Sequence, residues 1–174
     1  MPRSPLHWSH SPEGRFSHPD NLGVLYLAES AETSFWELFH PNLRDILPRD
    51  WRLRDRDLLF RSVWSIDVMA PLWVLDSADG EALRAIGADG STFTNAYEFT
   101  QRWARTLTDH PDGRIQGILY GSVRDPGKRC LALFEGRTRV ASLKPKYVAR
   151  ADLHDEVVDV LFRNRIAISP RAAP

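Results

Sequence analysis

The stretch GVLYLAESAETSFWELFHP, Gly23 to Pro41, hands an apolar run to an aromatic helix across one polar turn. The run GVLYLA (23–28) shows no polar alternation, which is the pattern of a strand buried on both faces. Ser30 is placed to cap a helix, Glu32 suits the positive field of its first turn, and Pro41 is expected to stop it. These signals predict a helix over about residues 31–40. A strand feeding directly into a helix makes the domain mixed α and β.

One acid interrupts the apolar helix. With residues about 100° apart around the axis and Phe35 set at 0°, Trp36 falls near 100°, Leu38 near 300°, Phe39 near 40° and Glu37 near 200°. Glu37 therefore lies almost opposite the apolar centre. That geometry excludes a buried acid and leaves two readings open, a solvated face and the wall of a cleft.

Upstream, MPRSPLHWSHSPEGRFSHPDN holds four prolines among polar and aromatic residues and reads as irregular chain. Downstream, LRDILPRDWRLRDRDLLF has no clean period and is read as a short helix or a surface excursion. RSVWSIDVMAPLWVLD (61–76) is rich in Val, Ile and Trp, and Pro71 breaks it into two strands or one bulged strand. SADGEALRAIGADG is a short helix between glycine turns. Ala96, Phe99, Trp103 and Leu107 form the apolar stripe of a further helix. GRIQGILYGS (113–122) and KRCLALFEG (128–136) are strands joined by the turn VRDPG, hence an antiparallel pair. ARADLHDEVVDVLFRNRI closes the fold as a helix, and residues 168–174 are expected to be a flexible tail. The strands are too irregularly spaced for a doubly wound sheet, so the expectation is one α/β domain of the mixed α+β kind over residues 1–174.

Composition narrows the class. The 174 residues are 43% hydrophobic and 26% charged, ordinary for a soluble domain. Lys plus Arg number 23 and Asp plus Glu 23, so no bulk field draws the chain to nucleic acid or an anionic membrane. The single cysteine, Cys130, forms no internal disulfide, which suits a reducing cytoplasm. No segment reads as a membrane span or a signal core.

Most motif signals are weak. His7, His10 and His18 share a loop with Ser9 and Asp20, but their spacing matches no metal signature, and no metal is expected. Phosphate-loop and nucleophile-elbow patterns are absent from the sequence. Cys130 sits within an apolar strand and reads as core. Ser122 ends a strand beside a glycine, Arg15 lies in a glycine-marked loop, and Tyr26 reads by default as a core tyrosine whose hydroxyl finds a partner.

Taken together, four of these residues fall into one order, GRF…LYLAES.ET…E…GILYGS.RDPG, which resembles the RES domain, a family named for its Arg, Glu and Ser. The resemblance is densest over residues 13–38 and 112–134. It implies a compact domain with central sheets and flanking helices, distantly like the ADP-ribosyltransferases, with a cleft between sheets. It also implies the toxin of a bacterial toxin–antitoxin pair, an NAD+ glycohydrolase or phosphorylase that arrests growth. Its partner would be a helical DNA-binding antitoxin whose tail blocks the cleft. NAD+ would be substrate rather than cofactor, with phosphate as an optional co-substrate.

On the motif, Arg15, Tyr26, Glu37 and Ser122 take the family positions. Cleaving the nicotinamide–ribose bond builds positive charge on the ribose, as glycoside hydrolysis does. The resemblance then gives Glu37 the stabilising of that charge and Arg15 a bidentate grip on the pyrophosphate. Tyr26 would line the nicotinamide pocket, and Ser122 would orient the ribose or carboxamide. One departure stands out: the family usually begins with a further strand bearing an [LIV]-[YFW]-R motif, whereas here 14 residues precede Arg15. Arg3 is a weak substitute. The alternatives are therefore a catalytically inactive module that binds an antitoxin, and an ADP-ribosyltransferase using the same cleft and acid.

Overall fold

A computed structural model of the protein describes residues 5–17, 22–43, 48–89, 91–92, 97–111 and 113–169. Arg3, His18 and Asp20 lie outside them. The elements in chain order are β1 (Val24–Ala28), α1 (Ala31–Leu43), β2 (Arg52–Arg54), α2 (Asp55–Leu59), β3 (Ser62–Val68), β4 (Val74–Asp76), α3 (Gly80–Ala85), α4 (Tyr97–Asp109), β5 (Gly117–Gly121), β6 (Arg129–Phe134), β7 (Leu143–Arg150), α5 (Asp155–Arg163) and β8 (Ala167–Ser169).

The central sheet has the order β1-β6-β5-β4. β1 pairs antiparallel with β6, β6 antiparallel with β5, and β5 parallel with β4. The turn VRDPG does join an antiparallel pair, and Gly127 within it takes φ +87°, a conformation glycine adopts at little cost. Gly117 is required for another reason. A Cβ there would run into the carbonyl oxygen of Ala132 on the neighbouring strand.

Both faces of the sheet are covered. On one, Phe16, Val24, Ile118 and Phe134 pack with Leu83 of α3 and with Ala104 and Leu107 of α4. On the other, Leu25 and Leu133 meet Leu143 at the start of β7. β1 is therefore buried on both faces only at Val24 and Leu25; Tyr26, Leu27 and Ala28 are half-buried because they wall a cleft. A second core holds α1 against α5: Phe35, Trp36, Phe39 and Leu43 pack with Leu53, Leu58, Val157 and Val160.

Several expectations need correction. Pro41 does not stop α1, which continues to Leu43, because tertiary packing of Leu43 in the second core outweighs the lost backbone bond. Ser30 caps the helix as expected, its Oγ accepting the Thr33 N–H at 3.0 Å. The segment after α1 is neither helix nor excursion alone, since it supplies β2 and α2. Residues 61–76 do form two strands, one of the two expected arrangements, and these lie in different sheets, β3 pairing with β7 as a separate ribbon. Of the expected α4 stripe, Leu107 is buried and Trp103 packs half-buried against the core, whereas Phe99 is exposed and Ala96 lies outside the described residues; Thr100, Ala104 and Thr108 complete the buried face. Those threonines can face the core because backbone carbonyls accept their hydroxyls. The tail expected over 168–174 gives Ile168 and Ser169 to β8, which pairs in parallel with β2; the rest lies outside the described residues. Among the described residues no helix is long and apolar enough to cross a membrane.

Candidate active site

Four separate pieces of chain meet where β1 hands over to α1. The N-terminal loop carries Arg15, β1 carries Tyr26, α1 carries Glu37, and the β5–β6 turn carries Ser122 and Arg124. A cavity of about 200 Å³ opens between them, walled by Arg15, Tyr26, Glu37, Tyr97, Tyr120 and Arg124. A larger groove of about 1100 Å³ shares Tyr26, Leu27, Ala28, Ser34 and Cys130 with it and runs on toward the β3–β7 ribbon.

The loop with Arg15 is held at both ends. Phe16 is fully buried in the sheet core, and its N–H donates to the Tyr26 hydroxyl at 3.1 Å. From α4, the Thr100 hydroxyl donates to the Arg15 carbonyl at 2.5 Å, and Gln101 Nε2 donates to the Gly14 carbonyl at 2.9 Å. The Arg15 guanidinium then lies between two rings, 5.5 Å from the centre of Tyr97 and 5.8 Å from that of Tyr120, within cation–π range. Beside these rings the guanidinium lines the cavity.

Glu37 is the acid of the cavity wall, with 29% of its side chain exposed. Of the two readings that periodicity left open, the cleft is the one realised. Leu38, expected on the apolar face, is instead 46% exposed and lines the larger groove. The two oxygens of Glu37 have different neighbours: Ser122 Oγ lies 2.6 Å from Oε1, and Arg124 Nε lies 3.7 Å from Oε2. Ser122 is buried behind Glu37 rather than exposed in the cavity wall. Its Oγ accepts the N–H groups of Arg124 at 3.2 Å and Asp125 at 2.9 Å. Asp125 in turn accepts the hydroxyl of Thr33 on α1 at 2.8 Å. The turn is thus fastened to α1 through side chains at Thr33 and Glu37.

Burial pushes the Tyr26 hydroxyl above its usual range, partly opposed by the Phe16 N–H and the Ser17 hydroxyl. It pushes Tyr120 up as well. The Cys130 thiol, opposite Tyr120 on the neighbouring strand, is raised to about 11, chiefly by burial and then by the Glu37 charge. A thiol protonated near neutral pH is no nucleophile, consistent with a core cysteine. Among the described residues no group of three or more His, Cys, Asp or Glu side chains is arranged to hold a metal. His10 instead lies 3.4 Å from Glu135.

The structure therefore brings Arg15, Tyr26 and Glu37 to one cavity and sets Ser122 directly behind the acid. Sequence reasoning missed Tyr97, Tyr120 and Arg124. Tyr120 and Arg124 belong to the quoted GILYGS.RDPG stretch, where strand alternation and proximity to Ser122 were available signals; Tyr97, on a distant helix, had none. A family model described as the RES domain matches residues 3–156. No curated protein and no solved structure matches the chain.

Proposed function

The chain belongs to the RES-domain family, and from that premise we propose that it degrades NAD+ by cleaving the nicotinamide–ribose bond. RES domains are associated in general with toxin–antitoxin systems and with action on NAD. The observation that carries the finer reading is the convergence of Arg15, Tyr26 and Glu37 on one cavity, with Ser122 fixing the acid from behind. The cavity has room for the nicotinamide end of the dinucleotide, and the adjoining groove for the remainder.

The chemistry needs few groups. As the bond from ribose C1′ to the ring nitrogen breaks, its electron pair neutralises the pyridinium, and nicotinamide leaves uncharged. Positive charge collects on C1′ and the ring oxygen. Glu37 stabilises it through space or through a ribose hydroxyl. Arg15, beside its two tyrosine rings, offers parallel donors to the pyrophosphate. Tyr26, uncharged, lines the nicotinamide side. Water or phosphate then adds to C1′ and gives up a proton, yielding ADP-ribose or its 1-phosphate. In the bacterial cytoplasm this activity would be restrained by a helical DNA-binding antitoxin whose tail fills the same cleft.

The decisive assay measures nicotinamide release from NAD+ by the purified protein, with and without phosphate, beside Glu37→Gln. Release that disappears in the variant supports the assignment. Radiolabel retained on a protein acceptor would redirect it to ADP-ribosyl transfer. Release by neither protein would leave an inactive module that binds an antitoxin.

A further inference from the structure

The β5–β6 turn contributes a second cation to the cavity, and its placement is tied to the proline inside α1. Proline has no N–H, so at position 41 it cannot donate to the carbonyl four residues back, that of Glu37. Such a carbonyl, partly withdrawn from solvent, needs another donor. Arg124 supplies it: Nη1 donates to the Glu37 carbonyl oxygen while Nε faces the Glu37 carboxylate at 3.7 Å. One guanidinium thus grips both the backbone and the side chain of a single residue.

The grip is braced from its own side. The Arg124 N–H donates to Ser122 Oγ, the Ser122 N–H donates to the Lys128 carbonyl at 2.8 Å, and the Lys128 N–H donates to the Asp125 carbonyl at 3.1 Å. Ser122 and Arg124 therefore divide the two Glu37 oxygens between them from one closed turn. Only an arginine fork reaches both acceptors; a lysine ammonium meets one or the other.

We infer that Arg124 is a positioning residue for Glu37, recruited by the carbonyl that Pro41 leaves open, and that it sets the direction in which the acid faces the substrate. The inference rests on Glu37 being the acid of the NAD-cleaving site. A displacement of about 1 Å at such a group costs about 100-fold in rate.

The test compares Arg124→Ala and Arg124→Lys with wild type in steady-state NAD+ cleavage, and runs a thermal cycle of Arg124→Ala, Pro41→Ala and the double variant. The expected result is a kcat lowered about 100-fold in Arg124→Ala, a KM changed by less than about threefold, and only partial recovery in Arg124→Lys. A raised KM at unchanged kcat would show Arg124 gripping substrate directly and would overturn the inference, as would wild-type kinetics. The thermal cycle decides independently of activity. Pro41→Ala restores the backbone donor, so the drop in Tm caused by Arg124→Ala should shrink in that background by about 2–4 °C. Equal drops in both backgrounds would overturn the link between Pro41 and Arg124. A wild type without NAD+ cleavage would sink the functional reading alone and leave the cycle to judge the contact.

Discussion

Ser122 Oγ stands 2.6 Å from Glu37 Oε1, and the serine is the donor of that pair. Its acceptor sites face the N–H groups of Arg124 and Asp125, so its one proton points at the carboxylate. The serine of the motif therefore donates directly to its glutamate.

Replacing Ser122 by Ala should lower kcat and leave KM close to wild type. A hydrogen bond to a charged group contributes about 1.5–3 kcal/mol, which is about 10- to 150-fold in rate. In a Glu37→Gln background the same substitution should cost little more, because residues acting as a unit are not additive. A rise in KM with kcat preserved would instead place the hydroxyl on the ribose or carboxamide.

How much of this was legible in the sequence depended on the range of the interaction concerned. β1, the start of α1 and the β5–β6 pair were read correctly because their signals are local: an apolar run, a serine cap, a proline–glycine turn. The end of α1 is not legible because Leu43 is buried in one core with Leu53 and Val160, packing that no local pattern announces. β7 escaped assignment altogether, since its partner β3 lies about 80 positions earlier along the chain. For Glu37 the helical wheel excluded the core and could go no further. What separates a cleft from open solvent is the turn around Ser122, 85 positions away in sequence.

The turn's other attachment predicts a cost in stability. Thr33 is fully buried, with Oγ1 donating to Asp125 Oδ2 at 2.8 Å and lying 2.9 Å from Ser30 Oγ. Thr33→Val keeps the shape and leaves the carboxylate of Asp125 without this donor. The expected loss is about 1–3 kcal/mol, or about 2–4 °C in Tm for each kcal/mol at this chain length. Because the same turn carries Ser122 and Arg124, kcat measured well below the transition should fall as well. A lowered Tm with full kcat would make the Thr33–Asp125 pair purely structural.

Cys130 sets the behaviour in alkali. Burial on β6 beside Tyr120 raises its thiol from an ordinary 9.0 to about 11. The unfolded chain therefore gives up this proton first. Below pH 9 both states hold it and the shift contributes nothing. Between pH 9 and 11 the unfolded state binds fewer protons, so stability falls as pH rises, by about 2–3 kcal/mol across the window. Tyr26 and Tyr120, also raised by burial from 10.0, extend the loss to higher pH. Cys130→Ala leaves a small cavity, a cost that does not change with pH, and it abolishes the thiol's share of the slope. Urea midpoints at pH 7.5 and 10.5 separate the two effects: the wild-type midpoint should drop more between these pH values than that of the variant. An identical drop in both proteins would mean that the thiol ionises as readily in the folded chain as in the unfolded one, and that Cys130 is not sealed between the sheet and the cleft.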